Sequence, residues 1–112
     1  MGLFETARAG ALRASYAFRI TSELSSGSPE KAVAIYERLV QRSPRFTYLA
    51  NLGSAQFLLG RLPQAEQSFR RAAEIEPGNP IALLNLADTR LLQKDRRGAE
   101  DIALDALRRS AA

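Results

Sequence analysis

Cysteine, histidine and tryptophan are all missing from the 112 residues of this chain. Without cysteine, the chain cannot form a disulfide scaffold or a thiolate zinc site. Without histidine, it lacks the commonest general base and metal ligand, together with every Ser-His or Cys-His pair. These absences disfavour catalysis. They predict a protein that is not an enzyme, with no catalytic residues, no metal site and no cofactor.

Long hydrophobic runs are also missing, because no segment approaches the ~18 consecutive apolar residues of a membrane span. Hydrophobic residues make up 46% of the chain and charged residues 25%, which is typical of a globular protein and disfavours disorder. The length suits a single domain over residues 1–112. No basic region precedes an apolar one at the N-terminus, so a secretory signal is not expected and we expect a cytoplasmic location.

Positive charge is moderately in excess, with 16 basic residues against 12 acidic ones and a formal net charge of +4. The basic residues cluster only in pairs such as Arg70-Arg71 and Arg96-Arg97, and acidic residues stand between them. A nucleic-acid-binding protein more often carries a continuous basic stripe. The pattern therefore favours solvated helix faces and predicts no nucleic-acid partner. An acidic partner or an anionic membrane surface is the alternative.

An internal repeat of about 34 residues organises the chain. Shifting residues 46–79 by 34 positions places apolar, small and amide residues on equivalent ones, and a shift of 33 positions backward does the same. The predicted units are residues 12–45, 46–79 and 80–112, and residues 1–11 extend the first helix. The forward matches are Leu49 with Leu83, Asn51 with Asn85, Leu52 with Leu86, Ala65 with Ala99 and Ala72 with Ala106; the backward ones include Gly60 with Gly27, Phe69 with Tyr36 and Pro77 with Pro44.

Each unit contains two stretches with helical periodicity, separated by glycine or proline. The breaks fall at residues 27–29, 60–63, 77–80 and 94–98. This pattern predicts an all-α fold of about six helices. Small residues should let the helices approach closely, and large ones should fill the layers between units. The small set is Gly53, Ala65, Ala72, Ala87 and Ala99, and the large set is Tyr36, Leu39, Phe69, Leu86 and Leu107.

The repeat resembles the tetratricopeptide repeat, a helix–turn–helix unit of 34 residues. The resemblance implies a right-handed α-solenoid of three repeats. It also implies a non-catalytic protein–protein interaction module, an adaptor or assembly factor, that binds an extended peptide or an amphipathic helix in its concave groove. In the middle unit the family positions are filled by Leu49, Leu52, Gly53, Gly60, Ala65, Phe69, Ala72 and Pro77.

The first helix of each repeat lines the groove in this family, so the resemblance also implies a set of ligand-contacting residues. Their chemistry is mostly apolar and neutral. The carboxylate clamp of the chaperone-binding members is not reproduced, because its cationic positions hold neutral residues. The implied groove residues are Phe18 and Thr21 from the first unit, Thr47, Asn51, Ser54 and Phe57 from the second, and Ile81, Leu84, Asn85, Asp88 and Leu91 from the third.

Asn51 and Asn85 occupy equivalent positions one repeat apart. A side-chain amide donates and accepts hydrogen bonds, so two such rungs could hold the backbone of an extended peptide whatever its side chains. This resembles the asparagine ladder of O-GlcNAc transferase. Phe18 stands at that position in the first unit, which limits the ladder to two rungs. The alternative is that these asparagines only support helix packing or face water.

Both ends of the chain suggest self-association as a second function. Residues 1–24 carry an apolar pattern of roughly helical period, which predicts a long first helix or, alternatively, a contact with a second copy or a membrane surface. The last predicted helix carries apolar residues that the chain does not obviously cover. The main alternative function is therefore a self-associating scaffold that uses its N-terminal or C-terminal helix, as a homo-oligomer. An RNA-binding helical repeat is a weaker alternative.

Overall fold

The computed structural model describes residues 28–111 and is all-helical over that range, without a strand. The predicted first helix, the extension over residues 1–11 and the groove residues Phe18 and Thr21 lie outside the described residues. The five described helices are α1 (Pro29–Arg42), α2 (Phe46–Leu58), α3 (Leu62–Ile75), α4 (Pro80–Leu92) and α5 (Arg96–Ala111). The breaks between these helices fall at residues 43–45, 59–61, 76–79 and 93–95. The last three overlap the predicted breaks at 60–63, 77–80 and 94–98, whereas the one at 43–45 was not among those predicted and α5 already begins at Arg96.

Two helices begin at a capping residue followed by proline. The Ser28 side chain accepts a hydrogen bond from the Lys31 N–H at 3.4 Å, and Pro29 is the first residue of α1. The Asn79 side chain likewise accepts from the Ile81 N–H at 3.1 Å, ahead of α4. These caps satisfy backbone N–H groups that a helix start leaves unpaired. Proline fits at this place because its missing N–H removes no helical bond.

The turns inside the second and third units share one backbone conformation. Gly60, between α2 and α3, has a φ of 74°, and Lys94, between α4 and α5, has a φ of 63°. The two residues are 34 positions apart. Glycine adopts this left-handed region without steric cost, whereas lysine does so with some strain. The third unit therefore keeps the turn geometry of the second although it lacks the glycine.

The helices pack in chain order, each against the next, and α2 also contacts α4. Among the described helices, α5 packs against α4 alone. This order stacks the α2–α3 hairpin on α1 and the α4–α5 hairpin on α3, as the repeat predicts. One side of the α4–α5 hairpin is consequently covered by α3, while no described helix covers the other side.

Small residues allow the close helix contacts, as predicted. Gly53 faces Phe69 so closely that an added Cβ would lie 2.6 Å from the ring carbon Cε1. Tyr36, Phe69 and Leu86 are buried between the helices. Leu107, however, does not fill a layer between units, because its side chain is 66% exposed. That part of the prediction is wrong, since no helix of the described residues lies over α5 on that side.

Candidate functional site

The predicted groove residues of α2 and α4 differ widely in exposure. The predicted residues of α4 are more accessible than those of α2, and the apolar side chains of the α4 set are exposed to solvent. Asn51 is the one member of the set that is buried. The exposed residues are Thr47, Ile81, Leu84 and Leu91, and the half-buried ones are Ser54, Phe57, Asn85 and Asp88.

Asn51 is engaged within the protein. Its side chain is 7% exposed, and its Nδ2 donates a hydrogen bond to the hydroxyl oxygen of Tyr36 at 3.3 Å. This bond joins α2 to α1 inside the core, where an unpaired amide would be costly. In the structure Asn51 therefore supports helix packing, which was the alternative to a role in holding a peptide backbone. Asn85, its equivalent, is half-buried and also has an interaction partner.

On α2, the residues predicted to face a ligand contribute little apolar area. Phe57 is half-buried and packs against the core. Ser54 is half-buried as well, and Ala50 on the same side of the helix is buried. The exposed apolar surface of the predicted groove therefore belongs mainly to α4, through Ile81 and Leu84 at its start and Leu91 near its end.

Three of the predicted residues line a cavity that α4 shares with α5. Leu84, Asp88 and Leu91 meet residues of α5, including Ala99 and Ala103, around a volume of about 300 Å³. A second cavity of about 350 Å³ shares the lining residues Leu84 and Ala103 with it. We call the two together the α4–α5 groove. Its other lining residues are Pro80, Ala87, Arg96, Glu100, Leu104, Ala106, Leu107 and Ser110.

A polar groove of about 560 Å³ lies among α1, α2 and α3. Sequence reasoning missed it, because its glutamines are scattered over three helices and each reads alone as a solvated residue. Within it the Ser68 hydroxyl donates to Oε1 of Gln56 at 2.6 Å, and both residues are buried. The glutamines that line it are Gln41, Gln56, Gln64 and Gln67.

The strongest charge cluster of the described residues surrounds Arg90. Its guanidinium donates to Oε2 of Glu66 at 2.9 Å and to Oδ2 of Asp95 at 2.8 Å. The hydrogen bond to Asp95 is the main cause that raises the pKa of Arg90 above its usual value. The Gly98 N–H and then Arg90 lower the pKa of Asp95. The cluster joins α3, α4 and the following turn. Arg70 also pairs with Glu66, at 3.2 Å, so two cations balance two carboxylates.

Within residues 28–111, no three acidic side chains come close enough to hold a metal ion. Arg90 has one buried nitrogen, Nε, without a hydrogen-bond partner, but both of its terminal nitrogens are paired. No helix in the described range is long and apolar enough to cross a membrane.

Comparison with known families agrees with the repeat found in the sequence. A family model described as tetratricopeptide repeat matches residues 19–80. A second model with the same description matches residues 57–111. Together they cover all the helices described above. No curated protein sequence gives a significant match to the chain.

Proposed function

The chain belongs to the tetratricopeptide repeat family, and from that premise we propose that it is an adaptor or assembly factor that binds a protein ligand along α4 and the adjoining face of α2. Tetratricopeptide repeats are non-catalytic modules that generally bind proteins or peptides. The ligand proposed here is an amphipathic helix or an extended apolar peptide. A cytoplasmic location is part of the same proposal.

The observation that carries this proposal is the exposed aliphatic surface of α4. Ile81 is 46% exposed, and Leu84 and Leu91 are exposed on the same helix. Burying such side chains against a ligand contributes about 25 cal/mol per Å² of apolar surface. Exposed apolar surface of this kind favours a ligand that brings its own apolar side chains.

The charge of this surface also favours a neutral apolar ligand. Thr47, Ile81 and Asn85 are neutral, and Asp88 is the one charged residue of the predicted set. Arg96 and Glu100, which line the cavity beside Leu84 and Leu91, have opposite charges. A groove for a carboxylate or for nucleic acid would instead need arginine or lysine at these positions. The proposal therefore assigns affinity to the aliphatic side chains and orientation to the amide of Asn85.

Substituting the two asparagines one at a time should distinguish an effect on stability from an effect on ligand binding. Asn51→Ala should lower the free energy of unfolding, because it removes the donor to Tyr36 inside the core. Asn85→Ala should mainly weaken ligand binding, since Asn85 is half-buried on the proposed surface. Urea unfolding and binding measured on both variants would contradict this division if Asn51→Ala weakened binding without destabilising the fold.

A matched pair of isoleucines tests the binding surface. Ile81 and Ile75 have similar exposure, 46% and 43%, but Ile75 is the last residue of α3 and lies outside the predicted groove. The full chain would be used to capture partners from a lysate of its source organism, with mass spectrometry as the readout. The same capture would be made with Ile81→Glu and with Ile75→Glu after circular dichroism has confirmed that both remain helical.

The proposal expects a partner that Ile75→Glu retains and Ile81→Glu loses by at least about tenfold. Its binding should change little between about 50 and 200 mM salt, because counterion release contributes little to an apolar contact. Equal retention by both variants would contradict the proposed surface. A steep loss of binding with salt would instead favour a nucleic-acid ligand.

A further inference from the structure

The polar groove of about 560 Å³ is formed where α1 and α3 stand apart on α2. In the described residues α2 packs against both of these helices, whereas α1 and α3 do not pack against each other. The groove has the size of common ligand-binding pockets, which enclose about 300–1,000 Å³. None of its lining residues belongs to α4 or to the predicted ligand-contacting residues of α2, so it is separate from the surface of the proposed ligand.

Gln56 presents an unused hydrogen-bond donor at the base of this groove. Its side chain is 6% exposed, and its Oε1 accepts the bond from Ser68 at 2.6 Å. Its Nε2 has no hydrogen-bond partner in the part of the chain that the structure describes. That nitrogen is not sealed inside the core, because among the described residues only Nε of Arg90 is both fully buried and unpaired. Nε2 therefore opens toward the groove, where an acceptor on a ligand would satisfy it.

The third repeat shows what this position binds when an acceptor is present. Arg90, which is the equivalent residue 34 positions later, donates to the carboxylates of Glu66 at 2.9 Å and Asp95 at 2.8 Å. The positions that correspond to these two carboxylates one repeat earlier hold Val33 and Arg61, and neither side chain is an acceptor. The second repeat thus keeps a donor at this position but lacks the carboxylates that pair with it.

Two arginines flank the groove from opposite sides. Arg38 of α1 and Arg71 of α3 occupy equivalent positions 33 residues apart, both are exposed, and neither forms an ion pair within residues 28–111. Glu37 of α1 is the one acidic residue in the lining, so two positive charges and one negative charge give a net charge of +1. Such a lining attracts a single carboxylate, whereas a polyanion such as nucleic acid needs many cations.

We propose that this groove is a second binding site, which takes an extended acidic segment of a protein ligand and holds one of its aspartate or glutamate side chains. Nε2 of Gln56 donates to the carboxylate, and Arg38 and Arg71 supply the positive charge on either side. The exposed amides of Gln41 and Gln64 on the walls pair with the backbone of the segment, because a side-chain amide both donates and accepts.

Titration of the isotope-labelled full chain with synthetic peptides, followed by proton–nitrogen NMR, tests the proposal. The probe is octaglutamate, and octaglutamine and a polythymidylate of equal length are the controls. Octaglutamate should shift the side-chain amide resonances of Gln56, since its carboxylate becomes their acceptor. Octaglutamine should shift them far less, because it brings no charge to Arg38 and Arg71.

Substitutions in and outside the groove separate a built site from general charge attraction. Arg38→Gln and Arg71→Gln should each weaken octaglutamate binding at least about fivefold, because each removes one charged partner. Gln56→Glu should weaken it at least about tenfold, since it places a carboxylate where the ligand's carboxylate binds. The matched control is Arg97→Gln on α5, because Arg97 is also exposed and unpaired among the described residues. It should change the affinity by less than about twofold.

Three results would overturn the proposal. The first is no shift of the Gln56 amide with octaglutamate at about 1 mM. The second is equal weakening by Arg97→Gln, which would show non-specific charge attraction. The third is tighter binding of polythymidylate with the same dependence on Arg38 and Arg71, which would assign the groove to nucleic acid. Ile81→Glu should leave octaglutamate binding unchanged, so this site and the α4 surface fail or succeed separately.

Discussion

The second and third repeats have the same backbone plan but divide their apolar residues differently. In residues 46–79, Phe69 lies against Gly53 and fills the space between two helices. In residues 80–111, the equivalent pair is Ala87 and Ala103, and neither is large. The third repeat instead carries an exposed leucine, Leu107, at the position equivalent to the buried Ala73. Between these two repeats, the second thus buries its large apolar side chain within the hairpin, whereas the third leaves one exposed.

The two repeats also differ in their polar contacts. Gln56 is buried and accepts a hydrogen bond from Ser68 within its own hairpin. Its equivalent, Arg90, instead pairs with Glu66 of the preceding repeat and with Asp95. The difference shows that one position of the repeat can support either packing within a hairpin or attachment to the neighbouring one.

The largest expected effect is the loss of the ring that fills the second repeat. Phe69→Ala should lower the free energy of unfolding by about 3–5 kcal/mol, because it leaves a cavity between α2 and α3. Leu107→Ala, in the third repeat, removes an exposed side chain and should change monomer stability by less than about 0.5 kcal/mol. Urea unfolding of both variants at low protein concentration measures this contrast, and similar losses would contradict it.

The next effect concerns the close approach at Gly53. Gly53→Ala should destabilise the fold by about 1–3 kcal/mol, because the new methyl group would overlap the buried ring of Phe69. The equivalent change in the other direction, Ala87→Gly, meets no such ring and should cost only the ~0.5–1 kcal/mol of a helical glycine. A stabilising effect of Gly53→Ala in thermal unfolding would show that the ring can move aside.

A smaller effect is expected at the turns. Lys94→Gly should stabilise the chain by about 0.5–1 kcal/mol, because glycine removes the strain of a positive φ. Gly60→Ala should have the opposite sign, since it introduces that strain into the second repeat. Chemical denaturation of the two variants checks the signs. The same sign for both would contradict the shared turn geometry.

The smallest effect is a pH dependence confined to the third repeat. Folding lowers the pKa of Asp95 below its ordinary value of 3.8, through the Gly98 N–H and Arg90. Its contribution to stability is therefore complete above that value and is lost as the pH falls through the lower folded pKa. Asp95→Asn should flatten the acid limb of the stability curve. An unchanged limb would contradict the role of this carboxylate.

Most of the fold could be predicted from the sequence, because the breaks and small residues are local signals. Pro63 and Pro80 mark helix starts, and the repeat aligns Ala65 with Ala99 at close contacts. The burial of Asn51 could not be predicted, since it depends on a tyrosine fifteen residues earlier in the chain. The exposure of Leu107 could not be predicted from the sequence either, because an apolar stripe on a helix does not show whether another helix covers it.

The central claim is that the exposed aliphatic surface of α4 binds a protein ligand. Capture of partners by the full chain, compared between Ile81→Glu and the matched control Ile75→Glu, tests it most directly because the two side chains have similar exposure, 46% and 43%. The account predicts a partner that Ile75→Glu retains and Ile81→Glu loses. Equal retention by both folded variants would contradict it.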